Sequence, residues 1–196
     1  MAAHPTVIDL RTQRLGRLGR LNGAWHERAL WLLGAIVLAH WVEHLVQAVQ
    51  IWALGYQKPA ARGFLGAAWP WLVTSEWLHY GFAVVMLAGL ALLLPGFTGR
   101  ARAFWVGALA IQVWHLLEHQ ILFIQAQTHT PWFGAAVPTS VLQQLWPAAR
   151  PELHLVYNTL VTVPMLVALW FHMYPPFPER GRVMACTCDR ATAKAA

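Results

Sequence analysis

Two copies of one short pattern carry most of the chemistry available to this chain. His40-Trp41-Val42-Glu43-His44 and His115-Leu116-Leu117-Glu118-His119 both read H-x-x-E-H. On a helix, positions i, i+3 and i+4 share a face, so each copy sends two imidazoles and one carboxylate in the same direction. Three such donors make half of a chelating cage. Nitrogen and oxygen ligands without thiolate suit iron, zinc or copper and disfavour magnesium or calcium.

These groups are embedded in apolar sequence. Hydrophobic residues make up 58% of the 196 and charged residues only 11%, a balance that excludes an ordinary soluble domain and puts lipid in place of water. A bilayer core of about 30 Å takes about 20 apolar helical residues, and four stretches supply them, at 29–53, 71–96, 103–126 and 147–173. The first is too long for a signal peptide and carries ionisable residues in its middle, so it is expected to stay as a span. The expected fold is all-α, an integral membrane four-helix bundle over residues 29–174, with a basic N-terminal segment 1–28 and a tail 175–196. Pro164 predicts a kink in the last helix.

A shift of 75 residues places His40 on His115, Glu43 on Glu118, His44 on His119, Gln50 on Gln125 and His79 on His154. Matching apolar residues mean little in so biased a composition, but matching ionisable ones are scarce. The pattern predicts two pseudo-repeats of two helices each, about 29–96 and 103–174. The first and third spans cross in the same direction, so the repeats are parallel.

The shift also brings helices two and four into the site. If they begin at Trp71 and Trp146, His79 and His154 lie eight residues inward, about 12 Å at 1.5 Å per residue. That is level with His44 and His119, in the outward half of the bilayer. Ionisable groups so deep must face the bundle and satisfy one another, and a cation turns them from a burden into ligands. The candidate ligands are therefore His40, Glu43, His44, His79, His115, Glu118, His119 and His154, holding two transition-metal ions, with iron favoured and zinc or copper as alternatives. Helix spacing puts Gln47, Glu76, Gln112 and Asn158 where they can orient those ligands. His4, His26, His129 and His172 are expected near water or the interface, outside the site, and Glu152 among the outer headgroups.

The formal charge of +6 follows the topology and does not imply a nucleic-acid partner. Eleven basic residues precede the first span, fill the short connection at Arg100 and Arg102, or follow the last span; the other two loops hold only Lys58, Arg62 and Arg150. By the positive-inside rule both termini are cytoplasmic. The two cysteines, Cys186 and Cys188, then lie in a reducing compartment as thiols. Most of the twelve tryptophans fall at predicted membrane boundaries, as an aromatic belt requires.

The arrangement resembles the carboxylate/histidine di-metal four-helix bundles, in which glutamates and histidines project from facing helices into the core. That resemblance is one of architecture, and it implies an oxidoreductase for a lipophilic substrate, a quinone or oxygen. Three alternatives stand beside it. H-x-x-E-H resembles the zinc signature of the inverzincin peptidases, which implies a hydrolase with glutamate as general base. Paired histidines on opposite helices also suit a b-type haem cytochrome, and intramembrane acids and histidines line metal or proton transport paths. Besides the bilayer, the expected partners are a small lipophilic substrate or quinone, and a homo-oligomer or a larger membrane complex.

Overall fold

The structure, a computed structural model, describes residues 16–146 and 150–179, and every regular element among them is helical. Helix α1 spans Gly16–Leu21, α2 His26–Trp52, α3 Gly63–Ala68, α4 Pro70–Thr74, α5 Trp77–Leu93, α6 Gly99–Thr128, α7 Val141–Leu145 and α8 Arg150–Met173. Most of the basic N-terminal segment and the tail cysteines lie outside the described residues.

Three of these helices are long and apolar enough to cross a membrane: α2, α5 together with the turn through Gly96, and α8. The fourth expected span, α6, is the longest at 30 residues but is not among them. Gln112, His115, Glu118, His119, Gln120 and Gln125 all fall within it, and this polar load lowers its mean hydropathy.

Burial runs opposite to that of a soluble protein. Leu32, Leu38, Val42, Leu45 and Val49 of α2 are exposed, while Glu43, His44 and Gln47 of the same helix are buried. Helices α6 and α8 repeat the inversion, with Val113, Leu117, Leu160 and Leu166 outward and Gln112, His115, His119 and Asn158 inward. Apolar surface on this scale needs lipid or a partner to cover it, and polar groups in a membrane segment face the protein interior.

Helix starts differ from expectation in a way that matters for depth. A single span from Trp71 is interrupted at Ser75 and Glu76, and Glu76 adopts φ 64°, the left-handed region that a non-glycine residue rarely occupies. Helix α5 therefore begins at Trp77, two residues before His79. Among the described residues helix α8 runs from Arg150, four residues before His154. His79 thus lies nearer to its helix start than the eight residues expected, about 3 Å along the axis. Pro164 sits inside α8, and the helix continues past it.

The described residues divide into two compact units, one of residues 16–35, 88–109 and 162–179 and the other within 36–87 and 110–161. Each of the four long helices contributes to both. In the first unit Asn22 donates to the Leu92 carbonyl at 2.9 Å and accepts from the Gly96 amide at 3.0 Å, closing the end of α5. Trp105, fully buried, donates to the Leu90 carbonyl at 2.8 Å.

His26 and His172 also belong to this unit, and their expected place near water is wrong. They are 0% and 3% exposed, with ring centroids 5.1 Å apart and Phe97 against both. Gly96 makes the room, because a Cβ there would collide with the His26 ring. His129, by contrast, is exposed as expected.

Candidate metal centre

All eight sequence-predicted ligands fall in the second unit. Its six histidines form one cluster. Ring centroids of His44 and His154 are 5.0 Å apart, His79 and His154 4.9 Å, His119 and His154 5.1 Å, and His79 and His119 5.9 Å. The i,i+4 spacing brings the two imidazoles of each motif together, and both pairs meet through the same atoms. Nε2 of His40 lies 3.0 Å from Nε2 of His44, and Nε2 of His115 lies 3.0 Å from Nε2 of His119.

Among the described residues one trio closes to metal-binding distance. One ligand nitrogen each from His115, His119 and His154 lies within 4.8 Å of the others, all three residues buried. Tautomer supports the grouping. Nδ1 of His154 is 2.8 Å from the Arg150 carbonyl, which can only accept, so Nδ1 carries the proton and Nε2 keeps its lone pair. That Nε2 is buried without a hydrogen-bond partner, as are Nδ1 of His79 and Nδ1 of His119. Buried polar atoms are rarely left so, and these three come from three different helices.

The carboxylates are placed elsewhere. Glu43 turns both oxygens to the start of α3, accepting from the amides of Phe64 at 3.0 Å, Leu65 at 3.0 Å and Gly66 at 3.4 Å. Glu118 does the same for α7, accepting from the Leu142 amide at 3.1 and 3.2 Å. The first amides of a helix have no partner within it and carry partial positive charge, so a carboxylate satisfies them. One turn pair further along, Gln50 accepts from the Gly63 amide at 2.9 Å, and Gln125 accepts from the amides of Trp132 and Thr139 at 2.8 and 3.2 Å. In each motif helix, then, the histidines serve the cluster while the Glu and the Gln seven residues later fasten the following loop.

Gly63 is fitted to this role twice. Its φ is +71°, and a Cβ would run into Oε1 of Glu43. Gly63→Ala should lower stability by more than about 1 kcal/mol, since strain and collision add; an unshifted thermal melt in detergent would show that the loop anchor carries no weight.

The orienting candidates divide. Gln47 is 2.8 Å from Nδ1 of His44, as its spacing predicted. Asn158 is buried with its Nδ2 unpartnered and does not hold its helix neighbour His154, whose Nδ1 goes to the Arg150 carbonyl. Gln112 donates to the Ala83 carbonyl at 3.1 Å and so ties α6 to α5 instead of holding a histidine. Glu76 is buried and held by Arg150 through two hydrogen bonds of 2.6 and 2.7 Å, with Nδ1 of His79 3.8 Å from its Oε2.

Sequence reasoning missed Arg150. Its guanidinium neutralises Glu76, its carbonyl fixes the His154 tautomer, and it lines the cavities on either side of His154. Two aromatic supports were also missed, and the 75-residue shift contained them. Phe82 stacks on His40 at 3.5 Å and Tyr157 on His115 at 4.5 Å. Glu152, expected among headgroups, pairs with Lys58 at 2.6 Å.

The histidine cluster fits a membrane metalloprotein, since three helices can span lipid and three buried histidines can bind an ion. Comparison with known protein families, with curated proteins and with solved structures finds no match for this chain.

Proposed function

We propose that this protein is an integral membrane metalloprotein, a four-helix bundle of two parallel pseudo-repeats with both termini cytoplasmic, whose centre is made of imidazoles. The observation that carries this reading is the buried trio His115, His119 and His154. Two nitrogens bound to one ion at about 2.0–2.1 Å lie about 2.9 Å apart at a right angle and about 3.4 Å at the tetrahedral angle. The 3.0 Å Nε2 separation in each motif falls inside that range.

His115, His119 and His154 hold the first ion and His40, His44 and His79 a second. Glu43 and Glu118 act as loop anchors that fix the motif helices, and Gln47 orients His44. An all-nitrogen set suits copper, iron or zinc, and a redox-active ion would supply electron transfer to a lipophilic substrate, a quinone or oxygen. Oxidoreduction is the reaction class that this reading favours. The placement of both glutamates on backbone amides weighs against the hydrolase reading, which needs one as a base. Direct ring-to-ring packing of the histidines weighs against a haem slot between them.

Protein purified in detergent should contain two transition-metal ions per chain by elemental analysis and show no Soret band. A metal-free preparation from metal-replete cells, or an intense Soret absorption, would sink the proposal.

A further inference from the structure

The two loops expected to face outward hold three basic residues, Lys58, Arg62 and Arg150, and all three line one cavity of about 340 Å³ in the second unit. His79 and His154 are in the same wall, with Val73 as an apolar surface. The volume is that of a small-molecule site.

The charges in this cavity do not cancel. Lys58 is paired with Glu152 and Arg150 with Glu76. Among the described residues Arg62 has no carboxylate partner; its Nε reaches only the Pro59 carbonyl, at 3.4 Å. Glu43, a near neighbour through the amides of residues 64–66, directs its oxygens at those amides. A guanidinium facing a partly enclosed space lined by further cations is a receptor for a planar acid group, which it can hold through two parallel hydrogen bonds.

We propose that this cavity is the substrate site and that it takes a small organic anion, its acid group on Arg62 and its body along Val73 toward His79 and His154. The inference deepens the metalloprotein reading and rests on it for the reaction, but the recognition of negative charge rests on the cavity alone. Lys58 and Arg150 are each balanced by a carboxylate, so the preference for negative charge rests on Arg62. A neutral molecule of equal shape leaves the Arg62 guanidinium without a partner in the filled cavity.

Calorimetric titration of the full-length protein in zwitterionic nanodiscs, with benzoate and its neutral counterpart benzamide, tests this. Benzoate should bind at least about 10-fold more tightly than benzamide, as expected for one charge-assisted contact. Arg62→Gln should erase that preference, Arg62→Lys should restore part of it, and added salt should weaken benzoate alone. Azide, small enough to ignore the cavity's shape, should show the same dependence on Arg62.

Metal content measured on the same samples separates the two ideas. Metal present with no preference for the anions, or a preference that survives Arg62→Gln, overturns the anion site and leaves the metal centre standing. An Arg62-dependent preference in protein that holds no metal supports the anion site and overturns the metal centre.

Discussion

Replacing His154 by alanine should release the ion of its trio, taking the metal content from two ions toward one and weakening that site by more than the 10- to 100-fold typical of outer-shell changes, so at least about 100-fold. His154 belongs to the one trio closed to ligand distance, its proton is fixed on Nδ1, and its Nε2 has no other partner. His119→Ala should act alike, and His40→Ala, in the more open half, should release the other ion. The exposed His129 is the proper control and should have no effect. His172 is not, because it is buried and its removal perturbs packing around His26 and Phe97. Metal-to-protein ratios measured after dialysis against a chelator decide this, and equal retention by the His154 and His129 variants would leave the cluster as a hydrogen-bond network.

The second large effect is expected at Glu76 and Arg150. Breaking a buried ion pair from one side leaves the other charge unmatched and costs about 3–5 kcal/mol. Glu76→Gln and Arg150→Met should each lower stability toward the low end of that range, since the Arg150 side chain is 34% exposed and Glu76 only 5%. Combining them removes both charges, so the double variant should be less destabilised than the sum. The left-handed backbone at Glu76, worth about 1–3 kcal/mol of strain, is held in place by this pair. Denaturant or thermal unfolding of the four proteins measures the coupling, and strict additivity would mean that the two side chains meet without supporting each other.

What was legible in the sequence was what local geometry determines. Helical spacing alone puts His40 beside His44 and His115 beside His119, and the 75-residue shift singled out His79 and His154, whose rings pack in the same cluster. The partners of Glu43 and Glu118 were not legible. A carboxylate on the same helical face as two imidazoles can turn either to a shared ion or to a returning loop, and only the path of residues 63–66 and 140–142 decides between them. Arg150 escaped notice for a related reason. It sits 74 residues from Glu76 and has no counterpart under the shift, so neither periodicity nor repetition points to it.

The Glu76–Arg150 contact has a consequence for how the protein is made. A ribosome delivers the chain from its N-terminus, so α2, α5 and α6 emerge while Arg150, the Glu76 counter-ion, and His154, the third member of the trio, are still unsynthesised. Until then Glu76 has no counter-ion, and an unpaired carboxylate does not settle into lipid. Arrival of α8 neutralises Glu76 and completes the set of imidazoles in one event. Any ion the trio binds is then captured only after α8 has arrived, and a chain released early by the ribosome lacks both the charge that lets Glu76 sink and the nitrogen that closes the trio.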